Sequence, residues 1–208
     1  MPLTLSHIEA ALALPPCGGR SDFDLNPEVR AAQMPGLTQR PAVILCPLVE
    51  RREGLKVVLT RRSQHLKHHA GQISFPGGKV DPGDPSPLAA ALREAEEEIG
   101  LLADQVEIMG TLDPYLTSTG FRVTPFVGRV APAWRPIADP NEVDEVFEVP
   151  LDFLMDPANR HRHHRDWQGT RRYFYAMPWG DYYIWGATAG MLKGLSDRIK
   201  VLAGQGAA

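Results

Sequence analysis

Residues 75–101 read FPGGKVDPGDPSPLAAALREAEEEIGL and hold four glutamates in five positions, Glu94, Glu96, Glu97 and Glu98. Like charges on neighbouring helix positions repel. At about 100° per residue, Glu94, Glu97 and Glu98 share one helix face and Glu96 points away. Three converging carboxylates suit a hard divalent cation such as Mg²⁺ or Mn²⁺, which takes oxygen ligands and keeps several waters. Such a cation neutralises anionic substrates and lowers the pKa of bound water, which is hydrolytic chemistry. The other reading is a solvated acidic helix end, which the helix dipole disfavours. The triplet alone leaves both readings open.

The elements that must position these residues can be read around them. The segment 85–99 predicts a helix, with Asp84 or Ser86 as its cap, Pro85 or Pro87 in its first turn and Gly100 closing it. Leu88, Leu92, Ala95 and Ile99 fall on one stripe, the expected core face. Upstream, AVILCPLVE and LKVVLTRRS flank Glu53-Gly54 and predict strand, turn, strand. QISF is a third short strand, and PGG after it is expected to turn. Downstream, VEIMGTLD and FRVTPFVGRV are strand-like, ADPNEVDEVFEVPL is expected as an acidic loop, and 151–155 as a short helix. TRRYFYAM and DYYIW predict a hairpin, and 187–203 a closing helix. Residues 1–40 are expected to be an accessory helix (5–14) and loop, and residues 41–208 the main domain. Strands and helices mix without regular alternation. The fold class is therefore α/β or α+β, one mixed sheet packed between helices.

Composition excludes several classes of partner. The chain has 208 residues, enough for one domain with a substantial core. Its net charge of -3 offers nothing to nucleic acid or an anionic membrane. No run is long and apolar enough to span a bilayer. The first residues lack the basic region of a signal peptide and predict a short surface helix. Two cysteines, Cys17 and Cys46, make no disulfide framework, and a reducing cytoplasm is the expected setting. A homodimer is carried as an expectation without a sequence signal of its own.

The acidic segment resembles the Nudix box, G-x5-E-x7-R-E-U-x-E-E-x-G-U, with U a bulky aliphatic residue. Arg93, Glu94, Glu97, Glu98, Gly100 and Leu101 match its second half, and Ala95 is small for its position. The first half departs: Asp84 stands where Glu is expected, and the following loop is one residue longer. Upstream, LTRRSQHLKHHAGQISFPGG is similar to the signature of coenzyme A pyrophosphatases, L-L-T-x-R-S-x3-R-x3-G-x3-F-P-G-G. Thr60, Arg62, Ser63, Gly71, Phe75 and Gly78 match it. Lys67 replaces an Arg there, which keeps the charge but loses the bidentate fork.

The resemblance implies an α/β/α sandwich with a mixed β-sheet and metal-dependent hydrolysis of the diphosphate of coenzyme A or its derivatives. The products would be 3′,5′-ADP and 4′-phosphopantetheine. It further implies Glu94, Glu97 and Glu98 as carboxylate ligands of Mg²⁺ or Mn²⁺, with a backbone carbonyl near Gly78. Arg93 would orient a glutamate through a charge-assisted bond. The general base is Glu94 or a carboxylate of the acidic loop, where Glu142, Glu145 and Glu148 recur and Glu145 is carried over. Arg62, Lys67 and Arg61 are the expected cations for the phosphates, with Gly71 and Phe75 beside them. Arg61 and Arg62 should face opposite ways, because strand side chains alternate. Phe75 has a competing reading as core.

Alternatives are a Nudix pyrophosphatase for ADP-ribose or NADH, and an inactive Nudix-fold binding module, which the intact glutamates oppose. The histidine run RHRHHRD is expected to be a solvated loop. The aromatic residues of MPWGDYYIWG could stack an adenine ring, but strand spacing favours the core.

Overall fold

The structure is a computed structural model that describes residues 2–167 and 169–204; the domain limit at residue 208 lies outside them. The chain begins with α1 (Leu5–Leu12), β1 (Arg20–Ser21) and α2 (Pro27–Gln33). Two long strands follow, β2 (Arg40–Arg51) and β3 (Gly54–Arg62), then the short β4 (Ile73–Ser74) and β5 (Gly77–Lys79). The acidic helix is α3 (Pro87–Ile99). Next come β6 (Val106–Thr111), β7 (Tyr115–Leu116), β8 (Phe121–Val130) and β9 (Val143–Pro150). The chain continues through α4 (Leu151–Met155), β10 (His161–Trp167), β11 (Thr170–Trp179), β12 (Tyr182–Trp185) and α5 (Gly186–Leu202).

Strands β1 to β9 form one mixed sheet, and β10–β11–β12 form a second, antiparallel one. Strand β2 is its spine. It runs parallel to β8 from Arg40↔Phe121 to Val49↔Val130. On its other edge it pairs with β3 only near the hairpin, from Leu48↔Val57 to Arg51↔Gly54. Beyond that point β2 and β3 splay apart. Strand β5 fills the fork against β2, and β4 fills it against β3. The expected turn at Gly77-Gly78 is therefore a strand.

Strand alternation divides the core into two layers. Ala42, Cys46 and Leu48 of β2, with Leu55, Val57 and Leu59 of β3, face one layer, which also holds Leu192 and Leu195 of α5. Leu45, Val49 and Val58 face the other, with Ala95 and Ile99 of α3. Both faces of these strands are covered, so their sequences read as continuous apolar runs. This is the α/β/α sandwich. Burial pushes the Cys46 thiol up to about 12, which makes it inert.

Helix α3 starts at Ser86, whose hydroxyl accepts from the Ala89 N–H at 3.1 Å, and ends at Gly100 in the left-handed conformation (φ 65°). Its buried side differs from the expected stripe. Ala90, Ala91, Ala95 and Ile99 are buried, whereas Leu88 and Leu92 are only half-buried. Small alanines let the helix lie close on β2 and β5, and this rotates Glu98 onto the buried side. Two other expectations are corrected. The acidic loop contains β9, whose Glu145, Phe147 and Val149 alternate on one face. RHRHHRD, from its second residue on, lies in β10, an edge strand, where charge discourages pairing with other chains.

Residues 5–33 are tied into this body. Ile8, Ala11 and Phe23 are buried, and β1 pairs parallel with β7. Arg198 of α5 and Asp113 form a buried ion pair at 3.1 Å. The same guanidinium donates to the carbonyls of Ala11, Leu12 and Leu14, the open C-terminal end of α1. Replacing Asp113 by Ala strands a buried cation. We expect a loss of about 3–5 kcal/mol in urea unfolding; a loss below about 1 kcal/mol would contradict this account of the clamp.

Candidate active site

The site lies where α3 crosses the fork between β2 and β3. Gly77 comes close to the spine: a Cβ there would collide with the Val43 carbonyl, and its φ of 152° is one that side chains rarely adopt. A Cβ on Gly78 would lie 2.5 Å from Glu94 Oε1. The two glycines thus let the backbone of β5 meet the carboxylates of α3.

Glu98 is the most buried acid of the helix, at 1% exposure. One of its oxygens accepts from the Gly77 N–H at 3.2 Å, and the other lies 3.4 Å from Arg62 Nη1. Burial raises its pKa to about 8. The Arg62 charge and the Gly77 N–H oppose that rise, while Glu142 and Glu94 add to it. Burial also raises Glu94; Arg93 opposes this, and Glu97 and Glu142 add to it.

Arg93 organises the rest. Its Nε and Nη2 clamp Asp84 at 3.0 and 3.1 Å, and Nη1 donates to Glu97 at 2.8 Å and lies 3.0 Å from Glu94 Oε1. The fork-on-carboxylate geometry holds Asp84 below its usual range. Asp84, at the departing position of the box, thus fixes the arginine that fixes Glu94 and Glu97.

The structure brings Glu94, Glu97, Glu98, Arg93, Gly78 and Arg62 together. It does not bring Glu145 to them. Glu145 shares its strand face with Phe147 and Val149, across the sheet from α3. There Tyr182 Oη donates to it at 2.6 Å, and Arg61 lies 3.3 Å away. Arg61 and Arg62 do face opposite ways. Phe75 is 3% exposed in the core and lines no site. Gly71 closes the loop after β3: its N–H donates to the Arg62 carbonyl at 3.0 Å, and its φ is 68°. Lys67 is exposed on that loop.

Of the three acids of the loop, it is Glu142, and not the favoured Glu145, that comes to the site. The Ile137 and Asp139 N–H groups donate to the carbonyls of Ile99 and Glu98 at the end of α3. The Ser63 N–H then donates to the Glu142 carbonyl at 2.8 Å. These bonds bring Glu142 to where its charge raises both Glu94 and Glu98. The alternation of Glu145, Phe147 and Val149 was the available signal, because it assigns Glu145 to the face away from α3.

Among the described residues no three acidic, His or Cys side chains close into a ready cage. The donor set still fits a hard divalent cation. It is all carboxylate oxygen, and Glu98 is buried with only one long ion pair to balance its charge.

Comparison with known proteins identifies the family. The NUDIX domain profile matches residues 38–169. A Citrobacter koseri protein described as an uncharacterized Nudix hydrolase, NudL, is 42% identical over 175 residues, covering 79% of this chain and 85% of that protein. The NudL of Escherichia coli K12 is 41% identical over 165 residues, covering 79% and 85%. A MutT protein from Methanosarcina mazei has a solved structure that is 26% identical, with a TM-score of 0.45, over 58% of this chain and 83% of that one. The chain belongs to the Nudix hydrolase family and is a pyrophosphohydrolase. Enzymes of this family generally use divalent metal ions and act on small nucleotide substrates. Among the described residues no helix is long and apolar enough to cross a membrane.

The raised Glu98 has a measurable consequence. Between its ordinary value of 4.5 and about 8, the folded state keeps a proton that the unfolded chain has released. In chelator, stability should therefore fall as pH rises through that window. Glu98→Gln should remove this slope and melt higher than the parent chain near pH 8. Added Mg²⁺ should stabilise the parent chain and not the variant. Equal slopes in the two proteins would refute the buried-carboxylate account.

Proposed function

We propose that this chain hydrolyses the diphosphate bond of coenzyme A or its derivatives, releasing 3′,5′-ADP and 4′-phosphopantetheine. One observation carries the reading. Arg62, from the segment similar to the coenzyme A pyrophosphatase signature, reaches Glu98, from the acidic helix, at 3.4 Å. The segment associated with the substrate and the segment suited to a cation therefore share one contact.

Glu94 and Glu98, with the Gly78 backbone and Glu142, are the groups that would hold Mg²⁺ or Mn²⁺. The bound cation would offset charge on the diphosphate and acidify a coordinated water. The residues of the chain do the rest. Arg62 faces the acids and offers its guanidinium to a phosphate oxygen. Arg93, itself fixed by Asp84, holds Glu94 against Gly78. Glu94, half-buried among these acids, is the carboxylate proposed as the base that takes a proton from the attacking water. Glu142 takes the place that sequence reasoning gave to Glu145. Glu97, at 52% side-chain exposure, serves mainly to hold Arg93.

Product analysis tests the reading. The protein would be incubated with coenzyme A, ADP-ribose and NADH, with Mg²⁺, Mn²⁺ or chelator. We expect 3′,5′-ADP from coenzyme A only with metal, and a drop of at least about a hundredfold in kcat for Glu98→Gln. Preferred cleavage of ADP-ribose or NADH would overturn the substrate assignment and leave the catalytic one. No cleavage with any metal would overturn both.

A further inference from the structure

The reaction as proposed uses nothing on the far side of β3, yet a groove of about 360 Å³ opens there. One wall is the signature-bearing segment, with Arg61, Gly71 and Gln72. The other is the turn into β12 and that strand, with Asp181, Tyr183 and Trp185. We propose that this groove is the subsite for the purine base of the substrate, stacked on the Tyr183 and Trp185 side. The proposal rests on the reading above that the substrate carries an adenine nucleotide.

Several observations point the same way. Sequence spacing favoured a core position for these aromatics, but Tyr183 is 42% exposed. Its ring is held in place nonetheless. The Tyr183 hydroxyl lies 2.6 Å from His163 Nδ1, and the two rings stack at 5.9 Å. Trp185 is braced by Phe174 at 5.0 Å. A fixed and partly exposed ring offers stacking at little cost in conformational entropy. The amides of Gln64 and Gln72 and the carboxylate of Asp181 supply both donors and acceptors, as the edge of a purine requires. Asp181 disfavours a phosphate in the groove, and Arg61 is already committed to Glu145. The volume suits a nucleoside rather than a whole dinucleotide-sized substrate.

The groove and the acidic site share neighbouring residues of β3. Arg61 lines it and the next residue, Arg62, faces Glu98 across the sheet. The loop between β3 and β4 fixes the second of these two positions from behind. The Arg62 N–H donates to the Gln72 carbonyl at 3.0 Å, and the Gly71 N–H returns to the Arg62 carbonyl. A substrate passing over the end of β3 would set its base in the groove and its diphosphate at Arg62. The Gly71 of the signature then has a local reason. A Cβ there would strike the Gln64 side chain in the wall of the groove.

The test is titration calorimetry with AMP in chelator, on the parent chain, Tyr183→Ala and Tyr183→Phe, each checked by circular dichroism. Loss of the ring in Tyr183→Ala should weaken AMP about tenfold. Tyr183→Phe keeps the ring and should bind within about twofold of the parent chain. In coenzyme A turnover, Tyr183→Ala should raise KM and leave kcat near the parent value. Equal AMP binding by the parent chain and Tyr183→Ala, or none by the parent chain, would overturn the subsite. Equal loss in Tyr183→Phe would overturn stacking as its basis. Coenzyme A turnover by the parent chain is judged separately: turnover with unchanged AMP affinity sinks only the groove. Ring-dependent AMP binding without turnover sinks only the coenzyme A assignment.

Discussion

A single carboxylate sets the terms for the rest of the site. Glu98 is turned inward by the same helix face that buries Ala95 and Ile99. Desolvating a carboxylate costs several kcal/mol unless opposite charge and hydrogen bonds offset it. The fold supplies one backbone N–H from Gly77 and one guanidinium nitrogen of Arg62 at 3.4 Å. That is too little to keep the group ionised at neutral pH, and the shortfall is what a hard cation would fill. The close backbone at Gly77 and Gly78, the splayed strands and the alanine-rich underside of α3 all serve to hold Glu98 in this place.

The second constraint is the alternation of β3 and β9. Because neighbouring side chains point to opposite faces, Arg61 and Arg62 serve two sides of the sheet, and Glu145 is carried away from the acids of α3. The Glu145–Arg61–Tyr182 group, with Phe147 stacked on Tyr182 at 3.7 Å, braces the wall of the groove on the far side of β3. One pair of adjacent residues thus connects the face where phosphate chemistry is proposed with the face where the base would bind.

Much of this was legible in the sequence, for local reasons. Helical period and punctuation by Ser86 and Gly100 located α3 within two residues at its start and at its true end. The apolar runs gave β2 and β3, and strand alternation separated Arg61 from Arg62. What was not legible depended on distant partners. Gly77 and Gly78 read as a turn because their strand pairing is decided by β2. The stripe through Leu88 and Leu92 was displaced because α3 lies on β2 and on the two glycines of β5, where alanines pack closer than leucines could. Glu142 could not be told from Glu145 because its position is set by hydrogen bonds from its loop to the end of α3. The charge-rich β9 and β10 hid their strand period behind polar composition.

The most direct test of the account is Mn²⁺ binding followed by electron paramagnetic resonance, on the parent chain and on Glu98→Gln, Glu142→Gln and Glu145→Gln. Binding should weaken by about ten- to a hundredfold in Glu98→Gln, by less in Glu142→Gln, and not at all in Glu145→Gln. Binding that survives loss of Glu98, or that depends on Glu145 instead of Glu142, would contradict it.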